Sequence, residues 1–440
     1  MNFLADSNRR RDAIVAAGAD PQRLRADELE PLVYAVGGAT DDPALAAPSA
    51  ATLLRHLFAV NQKRDREPAV AAALMTLDSP PTSPASMLRA LLVLLYAEEF
   101  AQAESRLLRM LTAGEVCPVF AMLLARIVAC QGRSREAAGQ LGTLLGGDLR
   151  ADLIPAAVAW RVSALVDLGE LEQANELLRL HGYDGELVDV PDRPELLAAR
   201  GALHLAEGRF GLAYDDYSAC GRELTAWAVV NPAVANWRAY AALCAHMTRR
   251  NWLAKTLASD ELAAARSWGG RRTSGIALQV SARLAPDEQA RMELLESADS
   301  ELAGSGALLE QIRVKYDLAV LRAERSDDAS ALALLGTARA LADEVGNDLW
   351  RDRIAAAINQ LEGAPGPARL TPQELAVARE VQPGRTNRQI AEHLCLTVRT
   401  IEFHLSSVYR KLGISGRREL QPAILLTQEG RRTRLQPIIW

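Results

Sequence analysis

Lysine is nearly missing from this sequence. Lys63, Lys255, Lys315 and Lys411 are the four among 50 basic residues, and none of them follows a glycine. A phosphate-cradling loop of the form G-x-x-x-x-G-K-[ST] needs a Gly-Lys pair, so ATP-driven switching through such a loop is excluded for these 440 residues. Aromatics make up only 5% of the chain, and no strand-like run of β-branched and aromatic residues occurs. That scarcity disfavours sheets, and a phosphorylated receiver domain with them; the abundant Ala and Leu favour packed helices. The five cysteines, Cys117, Cys130, Cys220, Cys244 and Cys395, are odd in number, scattered, and mostly set in apolar helical context. They read as reduced, buried thiols of a cytoplasmic protein rather than as a disulfide framework. No apolar run reaches the roughly 18 residues that span a bilayer, and MNFLADSNRRRD lacks a signal-peptide core, so no membrane partner is expected.

Charge is distributed unevenly. The whole chain carries a formal net charge of −5, yet residues 370–440 hold 11 basic and 6 acidic side chains, a net of +5. Residues 1–369 hold 39 basic and 49 acidic, a net of −10. Because salt screens charge over about 8–10 Å, the local excess governs what the carboxyl-terminal part attracts.

Four stretches of the acidic part align without gaps: EEFAQAESRL (98–107), GRSREAAGQL (132–141), GELEQANELL (169–178) and GRFGLAYDDY (208–217). Each starts on a turn residue, has Ala five positions on, and has Leu or Tyr four positions after that. A Gly just past a helix can adopt the left-handed conformation that closes its last carbonyls. The small Ala lets two helices approach, and the large residue one turn later fills the space beside it. Helix pairs recurring every 34 to 39 residues, as Ala103, Ala137, Ala174 and Ala213 do, cannot bury their apolar faces singly and must stack. The pattern over residues 86–225 resembles the tetratricopeptide repeat, and degenerate repeats are expected to continue to 362. The other reading of 226–362 is an irregular helical domain. Residues 1–85 read as an amino-terminal helical segment that ends in the loop DSPPTSPAS, and GAPGPA within 363–369 reads as a linker.

After the linker, punctuation becomes dense. Thr371, Pro372 and Glu374 form a helix start with a capping box and Pro at the first position. Thr386 precedes Gln389 in the same way, Thr397 opens a further helix, Gly413 closes it, and Ser415 opens a fourth. Two helices joined by the short Leu394-Cys395-Leu396 turn read as a helix-turn-helix. At about 100° per residue, Ile401, Leu405, Val408 and Leu412 fall along one line of the third helix and face a core. Arg399, Phe403, Ser406 and Arg410 fall on the opposite face, flanked by Thr400, His404 and Lys411 on one side and Glu402 on the other.

The strings LTPQE, TNRQIA, TVRTIEFHL and YRKLGIS resemble, one after another, the LuxR-type helix-turn-helix motifs over residues 370–420, within a domain expected to run over 370–428. The resemblance implies an all-α chain, a tetratricopeptide-like solenoid followed by a four-helix LuxR-type domain with a tail at 429–440. It further implies that the third helix docks in the major groove of double-stranded promoter DNA, as a homodimer. By position, Arg399, Glu402, Phe403 and Ser406 stand at base edges. Thr386, Asn387, Arg388, Thr397, Thr400, Arg410 and Lys411 stand at phosphates. Two departures are notable: Glu402 occupies a position that is often basic, and Cys395 one that is usually Gly. Glu402 either accepts from a cytosine amine or weakens affinity. Helical repeats joined to this domain also resemble the carboxyl-terminal part of the large ATP-binding LuxR regulators, without their NTPase.

Chemistry of other kinds finds no support in the pattern. Cys244 and His246 lie two apart and splay across a helix, the six histidines show no ligand spacing, and GYDGELVDVPD (182–192) lacks an EF-hand's ligands. No cofactor, metal or enzymatic constellation is expected. The expectation is a bacterial transcription regulator whose repeat body receives an unknown protein or small-molecule effector. Trp160, Tyr214, Tyr217 and Trp237 either line a groove for it or belong to the packing between repeats. A protein-interaction scaffold with a vestigial DNA-binding domain is the alternative.

Overall fold

A computed structural model describes residues 63–78, 84–112, 118–147, 149–188, 190, 192–226, 229–362, 372–381, 385–394, 396–412, 416–417 and 420. The amino-terminal segment up to 62, the linker, Thr371, Cys395, Gly413, Ser415 and the tail lie outside them. Among the described residues every regular element is an α-helix and no strand occurs. The helices are α1 (Lys63–Asp78), α2 (Pro84–Tyr96), α3 (Phe100–Thr112), α4 (Pro118–Cys130), α5 (Ser134–Leu145), α6 (Ile154–Leu168) and α7 (Leu171–Leu180). Next come α8 (Arg193–Ala206), α9 (Phe210–Ala226), α10 (Trp237–Met247), α11 (Asn251–Trp268), α12 (Arg271–Arg283) and α13 (Glu288–Leu302). They are followed by α14 (Leu308–Glu324), α15 (Asp328–Glu344), α16 (Asp348–Glu362), α17 (Pro372–Glu380), α18 (Asn387–His393) and α19 (Val398–Leu412). The chain divides into two compact units. One runs to Leu318 and includes Thr337–Arg351, and the other comprises Ala319–Gly336 and residues from Asp352 onward.

The turn–Ala–large pattern has a common geometry. Glu98, Gly132, Gly169 and Gly208 all take positive φ, between 62° and 91°. At each, the turn amide and the next one return to the preceding helix, as Gly132 N–H does to Ala129 O and Arg133 N–H to Val128 O. This closes the helix's last carbonyls and reverses the chain in two residues. The alanines five positions on, Ala103, Ala137, Ala174 and Ala213, are fully buried, and Leu107, Leu141, Leu178 and Tyr217 pack beside them. Two further turns of the same kind occur where the sequence hides them. Arg249 and Ser326, both at φ 61°, stand in the turn position, and Ala254 and Ala331 five residues later are fully buried. The left-handed turn thus recurs without glycine, which costs on the order of 1 kcal/mol of backbone strain at each position.

The first unit is a solenoid of antiparallel helix pairs that contacts itself at long range in a regular register. The Glu98 carboxylate accepts from the backbone N–H groups of Arg272 (2.8 Å) and Thr273 (3.0 Å) at the start of α12. Gln131 O accepts from Leu308 N–H at the start of α14. Asp167 O accepts from the Asn347 side chain (3.0 Å) before α16, and its carboxylate pairs with Arg313 (2.8 Å). Three successive hairpins are therefore joined to partners 174 to 180 residues onward in sequence. Gly132 is required at one of these junctions, since a Cβ there would lie 2.7 Å from Leu309 N.

Inside this closed array the alternate helices turn charged groups inward. Arg272 pairs with Glu310 at 2.6 Å, Arg283 with Asp317 at 2.9 Å, and Trp160 Nε1 donates to Glu195 at 3.1 Å. Burial raises the Asp167 carboxyl pKa, and the Arg313 guanidinium opposes that rise. Cys130, Cys220 and Cys244 are buried free thiols; burial pushes the Cys244 thiol up to about 12.

Candidate nucleic-acid interface

Three helices of the second unit share a small core. Val377 and Ala378 of α17, Ile390 and Ala391 of α18, and Ile401, Leu405 and Val408 of α19 meet there with Leu420. The period of α19 places Ile401, Leu405 and Val408 on one buried stripe, which fixes the rotation of the helix about its axis. The helix-turn-helix is α18, a short turn and α19. Thr386 caps α18 in extended conformation and completes a capping box. Its hydroxyl accepts from Gln389 N–H and the Gln389 side chain accepts from Thr386 N–H. Thr397 Oγ1 likewise accepts from Thr400 N–H at 3.2 Å before α19. These two caps hold the approach of the chain into both helices.

With the stripe buried, the opposite face of α19 is turned outward. Arg399, Glu402, Phe403, Ser406 and Arg410 are all exposed, and Phe403 is a large apolar ring left 71% exposed. His404 is half-buried and its ring lies edge-on to that of Phe403. Ser406 donates to Glu402 O within the helix, which leaves the hydroxyl's lone pairs outward. Neither Arg399 nor Arg410 has an ion-pair partner among the described residues. Thr386, Arg388 and Thr397 are exposed, and Asn387 and Thr400 are half-buried. Arg388 meets Glu392 at 3.3 Å with both side chains largely in solvent, a pair worth under about 1 kcal/mol that a phosphate can displace. Lys411 belongs to α19, but its side chain is outside the described set.

Sequence reasoning passed over Arg417. Its Nη1 donates to Asn387 Oδ1 at 2.8 Å, and its Nη2 donates to Arg385 O. Burial raises the Tyr409 phenol pKa, and the Arg417 charge beside it opposes the rise. Arg385 in turn pairs with Glu380 at the end of α17. Thirty residues separate Arg417 from Asn387, so no local spacing rule could have joined them.

The four aromatic candidates of the body separate. Trp160 and Tyr217 are core residues, 3% and 2% exposed. Trp160 bonds Glu195, and Tyr217 stacks on Tyr240 at 5.3 Å. Tyr214 and Trp237 are half-buried and each carries a guanidinium over its ring, from Arg250 at 5.0 Å and Arg238 at 4.5 Å. Trp160 and Tyr217 thus belong to the packing between helices, while Tyr214 and Trp237 keep part of their rings in solvent.

Residues 368–422 match the family described as bacterial regulatory proteins, luxR family. Over 50 residues the chain is 44% identical to the transcriptional regulatory protein ComA of Bacillus subtilis, covering 11% of this chain and 23% of ComA. Over 57 residues it is 44% identical to the putative HTH-type transcriptional regulator Mb0914c of Mycobacterium bovis, covering 13% of this chain and 6% of the relative. A putative HTH-type regulator of Mycobacterium tuberculosis, MT0914, matches to the same extent. The carboxyl-terminal domain is thus a luxR-family helix-turn-helix, and the chain spans less than a quarter of each relative's length. No helix among the described residues is long and apolar enough to cross a membrane.

Proposed function

We propose that this chain is a transcription regulator that binds double-stranded promoter DNA through α19. The observation that carries the reading is the outward face of that helix: two arginines with no ion-pair partner among the described residues, an exposed phenylalanine and a serine stand opposite a buried apolar stripe. A guanidinium can bond guanine O6 and N7, and an exposed ring can meet a thymine methyl. Arg399, Glu402, Phe403 and Ser406 serve as the base-reading set. Thr386, Asn387, Arg388, Thr397, Thr400, Arg410 and Lys411 serve as phosphate contacts that set register. The domain acts as a homodimer on a two-fold site, and the solenoid receives a protein or small-molecule signal. Exposed Glu402 is the observation behind the rival reading, an interaction scaffold whose DNA contact is weak. A gel shift with duplex DNA from upstream of the chain's own operon separates the two. Retardation whose log K falls against log salt with a slope near −5, about 5–6 phosphates neutralised per dimer, supports the regulator. A slope near zero rejects it.

A further inference from the structure

We infer that Arg417 is a positioning residue for the DNA backbone, acting through Asn387; the inference rests on the DNA-binding reading above. Its guanidinium fork spans two acceptors on one short segment, Asn387 Oδ1 at 2.8 Å and the carbonyl of Arg385. An amide has one carbonyl oxygen and one NH2 group. With the oxygen held by Arg417, the orientation of Asn387 is fixed and its two N–H donors are the end left to bond outward. Thr386 and Arg388 on either side are exposed, so Asn387 lies in the stretch of the domain where a backbone phosphate meets the chain. The second arm of the fork braces the residue before the α18 cap. One side chain therefore sets both the path into the helix-turn-helix and the polarity of a phosphate contact.

A fork is needed for this and a point charge is not enough. Lysine at this position keeps the charge but has no planar pair of donors to bridge both acceptors. The test measures full-length chain binding to a labelled random-sequence DNA duplex by fluorescence anisotropy across a salt series, with thermal unfolding followed by circular dichroism. Arg417→Lys is expected to weaken binding about fivefold, and Asn387→Ala by a similar factor. The double variant is expected to be no weaker than either single one, because both remove the same contact. Asn387→Asp keeps the acceptor for Arg417, so its unfolding temperature holds at the parent value. It loses the outward donors and sets a carboxylate in their place, so binding falls. Should Arg417→Lys bind as the parent does, or the two single losses multiply in the double variant, the inference is overturned while DNA binding stands. Should Arg417→Lys prove unfolded, Asn387→Asp decides alone, and parental binding by that variant overturns the inference. A parent chain that fails to bind the duplex at low salt overturns the DNA-binding reading itself.

Discussion

The inner helices of the solenoid and α19 are built from the same materials and use them oppositely. Both carry arginines, and both set an aromatic ring beside polar groups, Trp160 at Glu195 and Phe403 at His404. In the body, Arg272, Arg283 and Arg313 are turned inward and each meets a carboxylate within 2.9 Å. On α19, Arg399 and Arg410 are turned outward with no such partner among the described residues. Trp160 is 3% exposed and bonded to Glu195, whereas Phe403 is 71% exposed. The lesson is that a polar helix face says nothing of function until its charges have been paired off. Where intramolecular partners are found, the face belongs to the fold; where they are not, it is available to a ligand.

The sharpest way to break this contrast is to remove one inward charge. Arg272→Met leaves Glu310, itself 4% exposed, without its ion-pair partner in the interior. We expect a loss of about 3–5 kcal/mol in urea unfolding; a change under about 1 kcal/mol would mean that the inner pairs are as dispensable as surface ones. Gly132→Ala comes next, since it puts a Cβ against Leu309 at a left-handed position. A cost of about 2–3 kcal/mol is expected by the same measurement.

Glu261 sharpens the comparison through pH. It is fully buried, accepts from Asn236 at 3.2 Å, and lies 3.8 Å from Arg238. Burial lifts its pKa to about 7, with Arg238 opposing. The folded value thus lies above the unfolded one, so the carboxyl's favourable contribution is complete below about pH 4.5 and is lost as pH rises through 7. Glu261→Gln stays neutral throughout. It should match the parent at pH 4.5 and exceed it by about 2–3 kcal/mol at pH 8, read from urea midpoints at both. Equal midpoints at pH 8 would show that Arg238 fully compensates the ionised form.

The smallest stability effects belong to α19. Arg399→Ala and Phe403→Ala should change unfolding by no more than about 0.5 kcal/mol while altering which duplex is preferred in competition binding. A large loss of stability in either would place these side chains in packing and erase the distinction between the two faces.

Much of this was legible in the residues. The buried stripe of α19 and its exposed face follow from helical period, and the Thr386 box from spacing alone. The Ala of each hairpin was readable because glycine marked three of the four turns. The later hairpins were not, because Arg249 and Ser326 hold the left-handed turn without glycine and erase the marker. The fate of Trp160 and Tyr217 was equally hidden. Whether an inner aromatic lines a groove or a core depends on partners in neighbouring helices, Glu195 for Trp160 and Tyr240 for Tyr217, and no local pattern encodes that. Arg417 escaped for the same reason: its partners are long-range in sequence and its own neighbourhood, SGRREL, looks like any solvated helix start.

The register of the array's closure also sets a timetable for synthesis. The hairpin carrying Glu98 leaves the ribosome about 174 residues before the α12 amides that bind its carboxylate, an interval of roughly 10–35 s at ordinary elongation rates. Meanwhile each new hairpin can stack on its predecessor, but Glu98, Gln131 and Asp167 wait in turn, each for a helix not yet made. The domain whose Arg399 and Arg410 lack an ion-pair partner among the described residues is translated after all three of these junctions.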